Sequence, residues 1–264
     1  MKIAAFDFDG TLHHPQPDGG CGFTPADLKA IAAWRNAGHL AIAATGRSRS
    51  ALVHGLADLP ADAQLTFDYQ VLSNGGSAAT GDGATLLFAY PVDPAILHAA
   101  IDAFGNRDGV AVFGTTTGAK DGVFANNTGA DSRLTAHFTP MTKADIDDHT
   151  FAVIPLWVPD NDALRAEVVV WAQQFGTVTV AQNQEYIDIM APGRSKGAGI
   201  LELLEIIGFK RGEVDLYSFG DSWNDLAMHT IADHSHSFHH SPDDVQAATD
   251  YVIGSIAEAL PAYT

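Results

Sequence analysis

The sequence predicts an α/β protein, a doubly wound, Rossmann-like parallel sheet interrupted by an inserted α+β domain. Three observations lead there. At both ends of the chain, apolar runs alternate with helix-period segments, the grammar of β–α–β crossovers. The middle instead collects strand-like runs around only two helices. The 264 residues, 46% hydrophobic, suffice for one large domain or two modest ones with a true core. Residues 1–83 and 185–264 are therefore read as one discontinuous domain and 84–184 as the insert.

Residues 3–8 read as a buried strand. Thr24-Pro25-Ala26-Asp27 opens a helix, with Thr24 as N-cap and Pro25 at the first helical position. Leu28, Ile31, Ala32 and Arg35 then recur at helical spacing, and Gly38 ends the helix. Residues 40–44 form a second strand, so the pair implies a parallel, right-handed crossover. In the insert, strands are expected at 86–90, 110–113, 151–158 and 177–181. One helix starts near Asp93-Pro94 and another covers about 160–175. Residues 114–131, rich in Gly, Thr and Asn, form a long turn or hairpin. Past the insert, Ser195 begins a helix through Leu201, Leu204 and Ile207, closed by Gly208. Strands follow at 216–219 and 251–253. Five histidines between His229 and His240 read as a polar loop leading to a helix start at Ser241-Pro242. They invite a transition-metal site, but no ligand-like spacing stands out.

The balance is acidic, 14 Lys+Arg against 32 Asp+Glu, a net charge of −18. Such a field repels nucleic-acid backbone and anionic membrane. It admits an anionic substrate only where a cation reverses the sign locally. Cys21 is alone, which suits a reducing compartment. The N-terminus does not read as a secretory signal, and no apolar stretch approaches the ~20 residues of a membrane span. The expectation is a cytoplasmic protein with neither nucleic acid nor membrane as partner.

Four short motifs fall at strand ends or helix starts, where an open α/β sheet collects its ligand. Asp7-Phe8-Asp9-Gly10-Thr11 places two carboxylates beside a buried strand, where they repel and desolvate unless a divalent cation sits with them. Mg²⁺ favours a few carboxylates together with phosphate oxygens. One of the pair can attack phosphorus and the other can move the proton. Thr45-Gly46-Arg47 offers a hydroxyl and free N–H groups to an anion, or is a simple N-cap with a surface arginine. Lys196, in the first turn of a helix, opposes the helix dipole, which suits a phosphate or carboxylate to neutralise. Gly220-Asp221-Ser222-Trp223-Asn224-Asp225 supplies Asp221 to a Mg²⁺ shell shared with Asp7, or is a helix cap with acids in its first turn.

Taken together in this order, DFDGT, TGR, the lysine of RSKG and GDSWND resemble the haloacid dehalogenase superfamily of phosphohydrolases. The insert after the third strand resembles that of its type IIB, Cof-like branch. The resemblance implies Asp7 as nucleophile and Mg²⁺ ligand, and Asp9 as general acid/base whose backbone carbonyl also binds the metal. It implies Thr45 and Gly46 around the phosphoryl group, with Arg47 beside them, and Lys196 bridging phosphate and nucleophile. Asp221 becomes a further Mg²⁺ ligand, with Asn224 and Asp225 in support, and Asn74 lies near the leaving group. The insert becomes a mobile cap. The chain departs from the branch at 233–242, where a Gly- and Met-containing stretch is usual. The expected activity is Mg²⁺-dependent hydrolysis of a small phosphorylated metabolite, sugar phosphates first. A phosphomutase, for which Arg47, Arg49, Arg133 and Arg194 are the candidate second clamp, stays open. So do a non-catalytic phosphometabolite sensor and a plain acidic binding module. Asn126, Asn127 and Glu185 are candidate specificity residues of the insert, and His13 and His14 either touch substrate or face water.

Overall fold

Alternating small and branched apolar side chains make the first strand a buried one. β1 (Lys2–Phe6) sends Ile3 and Ala5 to one face and Ala4 and Phe6 to the other, and all four are buried. The computed structural model describes residues 1–16 and 20–264. A short hairpin of β2 (His13–Pro15) and β3 (Cys21–Phe23) follows, then α1 (Pro25–Asn36) and β4 (Leu40–Ala44). Next come α2 (Arg49–Leu56) and β5 (Tyr69–Leu72), β6 (Ser77–Thr80) and β7 (Leu86–Ala89). Then α3 (Pro94–Phe104), β8 (Ala111–Thr116), β9 (Gly122–Asn126), β10 (Thr139–Pro140) and β11 (Phe151–Trp157) lead to α4 (Asp162–Gln173). β12 (Thr179–Asn183), β13 (Tyr186–Met190), α5 (Lys196–Ile206) and β14 (Asp215–Phe219) follow. The chain ends with α6 (Leu226–Ile231), β15 (His234–Phe238), α7 (Asp243–Ala247), β16 (Tyr251–Ile253) and α8 (Ile256–Ala259).

The described chain divides into two units, Met1–Gly46 with Gly55–Phe88 and Ser195–Thr264, and Arg47–His54 with Ala89–Arg194. The first is built on an eight-stranded sheet in the order β16-β15-β14-β1-β4-β5-β6-β7. β1 pairs in parallel with β4 on one side and β14 on the other. The strand order therefore reverses at β1, and the carboxyl ends of these three strands flank a topological switch point. Ile3, Ala5, Ile42 and Ala44 pack under Ile200, Leu203 and Leu204 of α5. On the opposite face the Trp34 ring of α1 meets Tyr217 of β14 edge-on, so both faces are wound.

The second unit is α+β. Its six-stranded sheet runs β10-β9-β8-β11-β13-β12, antiparallel except for the β9–β10 pair. Ile96, Leu97 and Phe104 of α3 and Leu164, Val168 and Ala172 of α4 share one apolar cluster with Val112, Ile154 and Ile187 of the sheet. Asp93 caps α3 by accepting from the N–H of Ala95, and Asn161 caps α4 by accepting from Leu164.

Three elements depart from the sequence expectation. β1 ends at Phe6, so Asp7 is already past the strand. β7, expected among the strands of the insert, is the edge of the eight-stranded sheet. The stretch read as a histidine-rich polar loop contains the last turn of α6 and all of β15, an interior strand paired on both sides. The reason is that the His236 ring serves as an apolar plate. It is fully buried and stacks on Phe219 at 4.5 Å and on Tyr251 at 5.1 Å. Its Nδ1 lies 3.2 Å from the carbonyl of Ser218, and its Nε2 lies 3.1 Å from the Tyr263 hydroxyl.

Burial pushes the pKa of His236 down to about 4. Its folded value thus lies below the unfolded one, so its contribution is intact above pH ~6.5 and is lost as pH falls toward 4. The loss is expected to reach at most about 3 kcal/mol. Denaturant titrations of wild type and His236→Phe between pH 7 and 4 test this. The variant should lose stability less steeply over that window, and equal slopes would exclude His236 as an acid-sensitive group.

Candidate active site

Local structure explains why acids gather at the switch point. The Asp7 N–H still donates to the Phe219 carbonyl at 2.8 Å, extending the β1–β14 ladder by one residue and fixing where its side chain leaves the sheet. The chain then turns sharply at Gly10, whose φ of +84° suits glycine. A Cβ there would lie 2.5 Å from Oδ2 of Asp221, so the close approach of these two loops also demands glycine. Thr11, fully buried, donates its hydroxyl to Oδ1 of Asp221 at 3.2 Å. Ser195 caps α5 by accepting from the N–H of Ala198, and the next residue, Lys196, turns inward.

Lys196 is completely buried. Its Nζ donates to Oδ1 of Asp7 at 2.5 Å and to Oδ1 of Asp225 at 2.6 Å. The other oxygen of Asp225 accepts from the N–H of Ser222 at 3.0 Å. Asp7, Asp221 and Asp225 each bring one oxygen to within 4.8 Å of the others, the grouping of acids or histidines among the described residues that could grip an ion. Burial first, and then the Asp225 charge, raise the Asp7 carboxyl well above the usual range, against the pull of Lys196. The same two causes raise Asp221 to about 6. Burial works against the Lys196 ammonium, yet Asp225 and Asp7 outweigh it and hold its pKa above the ordinary value. Three carboxylates around one ammonium remain short of positive charge, and a divalent cation fits that deficit.

The other motif residues brace this centre. The Asn74 N–H donates to the Thr45 carbonyl at 3.1 Å. The Asn74 side chain lies beside Gly46, where a Cβ would come within 3.2 Å of it, and accepts from the Asn224 amide at 3.2 Å. The Asn224 carbonyl oxygen is buried with no partner, so a polar group is called for at that spot. Ser73, Asn74 and Gly75 are three successive left-handed residues, with φ of 54°, 51° and 84°. A Cβ on Gly75 would sit 2.0 Å from the Ser195 carbonyl, so this turn seats the start of α5.

Asp9 is outside the acid trio, its side chain 39% exposed. Arg47 belongs to the second unit and donates to the Ala51 carbonyl at 2.8 Å. There Asn126 closes a turn by accepting from Thr128, Asn127 donates to the Gly105 carbonyl, and Glu185 accepts from the Trp157 indole and the Asp160 N–H. Asn126 thus shapes its own turn, whereas Asn127 and Glu185 tie together segments distant in sequence. Arg194 lies over the Tyr90 ring at 4.1 Å. His240 places Nε2 2.9 Å from the Gly10 carbonyl, and its ring meets that of His14 edge-on at 6.2 Å. Sequence reasoning missed Thr11 and Ser222 as supports. Both lie inside the motifs, and that position was their only signal. No helix among the described residues is long and apolar enough to cross a membrane.

Comparison with known proteins follows the same lines. The model of the haloacid dehalogenase-like hydrolases matches residues 4–259. A curated protein of Geobacillus stearothermophilus, named only for its place in the pdhA 5′ region, is 30% identical over 71 residues, 27% of this chain and 73% of that protein. The structure of the subclass IIB sugar phosphatase BT4131 superposes with a TM-score of 0.79 at 20% identity, over 100% of this chain and 99% of that one. A haloacid dehalogenase-like hydrolase from B. subtilis gives 0.79 at 16%, over 100% and 98%. The phosphatase BT1666 of Bacteroides thetaiotaomicron gives 0.76 at 15%, over 100% and 95%.

Proposed function

The chain belongs to the haloacid dehalogenase-like hydrolase family, and we propose that within it the protein is a Mg²⁺-dependent phosphatase of small phosphomonoesters, sugar phosphates first. The observation that carries this reading is the buried Lys196 ammonium bonded to Asp7 and Asp225, with Asp221 alongside. A sugar phosphatase among the similar structures supports the substrate class. In this reading the unit Met1–Gly46 with Gly55–Phe88 and Ser195–Thr264 is the catalytic core and the unit containing Ala89–Arg194 is the cap, so the boundaries expected at 83/84 and 184/185 move to 88/89 and 194/195. Acidic charge and a single cysteine support a cytoplasmic enzyme acting on metabolites.

Asp7 attacks phosphorus through a carboxylate oxygen, and the ester oxygen leaves with a proton from Asp9. Asp9, now a carboxylate, takes a proton from water. That water attacks the aspartyl phosphate, releasing inorganic phosphate and restoring Asp7. Lys196 holds Asp7 in place and offsets charge on the transferring group, while Thr45, Gly46, Asn74 and Asn224 bind the phosphoryl group and its ester. Asp7, the Asp9 carbonyl and Asp221 would hold Mg²⁺, with Asp225 behind them, and the ion would supply electrostatic stabilisation of phosphoryl oxygens.

A panel of phosphorylated metabolites assayed for free phosphate with and without Mg²⁺ tests the reading. Transfer without phosphate release would make the protein a mutase, and binding without turnover a sensor. Mg²⁺ alone should raise Tm, by about 2.7 kcal/mol of stabilisation at a hundred times its Kd. Asp7 and Asp221 hold protons more tightly than ordinary carboxylates, and the metal must displace them. The shift is therefore expected to grow as pH rises through about 6, where Asp221 gives up its proton. A shift independent of pH would argue against these two ligands.

A further inference from the structure

His240 ends the histidine-rich stretch, and the mechanism above leaves it without a task. Unlike His236, it is exposed. Its ring stacks on the buried Phe238 at 5.3 Å and meets His14 edge-on at 6.2 Å. Its Nε2 lies 2.9 Å from the Gly10 carbonyl oxygen. A carbonyl only accepts, so Nε2 carries the hydrogen and donates it.

That carbonyl belongs to the turn on which two of the proposed metal ligands depend. The peptide before Gly10 carries the Asp9 carbonyl, and its N–H donates to the His13 carbonyl at 3.0 Å. The residue after Gly10 is Thr11, whose hydroxyl donates to Oδ1 of Asp221 at 3.2 Å. The torsions of Gly10, with φ at +84°, thus set the Asp9 carbonyl and the Thr11 hydroxyl relative to each other. Glycine has the widest backbone freedom of any residue, so its torsions need a restraint from outside. Satisfying the Gly10 carbonyl does not by itself call for a histidine. On an exposed side water would do so with little loss of stability. Water, however, is not a donor of fixed direction, and a ring seated on Phe238 is. We propose that His240 is a positioning residue whose bond to the Gly10 carbonyl holds this turn in the shape that presents the Asp9 carbonyl and Asp221 to Mg²⁺. The proposal rests on the phosphatase reading and adds a part to it.

Titrating Mg²⁺ into the substrate-free protein at pH 7.5, with melting temperature as the signal, reads metal affinity apart from turnover. His240→Leu keeps apolar bulk against Phe238 and loses the donor. The Mg²⁺ concentration at half effect should rise about tenfold, the low end for residues that orient metal ligands. Its metal-free Tm should stay within about 2 °C of wild type, because an exposed hydrogen bond adds little to stability. His240→Gln returns an amide N–H near the position of Nε2, and its half-effect concentration should lie within about threefold of wild type. An unchanged half-effect concentration in His240→Leu, a loss confined to its metal-free Tm, or a Gln variant as weak as the Leu variant overturns the proposal and leaves the phosphatase reading intact. A wild type whose Tm ignores Mg²⁺ overturns the two together.

Discussion

Asp7→Asn should reduce turnover of p-nitrophenyl phosphate by on the order of 10⁴-fold or more, because removal of a nucleophile leaves only binding and electrostatics. The amide is nearly isosteric, so the fold should survive. The direction of the pKa shift makes the prediction sharper. The folded state raises the Asp7 carboxyl, so its ionised form destabilises the native protein above the ordinary carboxylate range. Asparagine carries no such charge. The metal-free variant is therefore expected to melt at or above the wild-type temperature at neutral pH, while the Mg²⁺-induced shift shrinks. Calorimetry and a turnover assay on the same sample decide the matter. Retained activity would remove Asp7 as nucleophile, and a sharp fall in Tm would mean that the carboxylate is needed for folding.

Lys196→Met should have the largest effect on stability. The ammonium is fully buried with carboxylates on two sides. Removing one partner of a buried ion cluster costs about 3–5 kcal/mol, because the remaining charges stay desolvated and uncompensated. Here the remaining charges repel each other, so part of the loss should be recovered by lowering the pH, which protonates the already raised Asp7 carboxyl, or by adding Mg²⁺. Denaturant titration at pH 7.5, with and without the metal, reads this directly. A loss below about 1 kcal/mol in metal-free buffer would mean that the three acids do not depend on this lysine. Activity should fall in either buffer, since the phosphoryl group loses its fixed cation.

Much of the site was legible because its residues lie immediately past strand ends. Asp7, Thr45 and Asp221 each follow a short apolar run, and parallel pairing of β1 with β4 and β14 brings the three ends side by side. Lys196 was legible as an oddity, a cation placed against the helix dipole. What was not legible depends on pairing between distant segments or on burial that composition conceals. His-Ser-His-Ser-Phe reads as polar, yet the serine hydroxyls find partners in Asp250 and Thr249, at the entry to the neighbouring strand, and His236 stacks like an aromatic ring. The placement of β7 at the edge of the larger sheet is set by its hairpin neighbours, which no periodicity reports. The place of His13 between Asp9 and Asp58 joins positions 45 residues apart and leaves no mark in either local pattern.

The left-handed run at 73–75 has a thermodynamic side. Serine and asparagine at positive φ cost of order 1 kcal/mol each, and only Gly75 adopts that conformation without steric cost. The fold accepts this tension where Asn74 reaches toward Asn224 and Gly75 supports the start of the lysine-bearing helix. Relaxing the bend with further glycines would remove that tension together with the Asn74–Asn224 contact, so in the proposed reading stability and turnover meet within three consecutive residues.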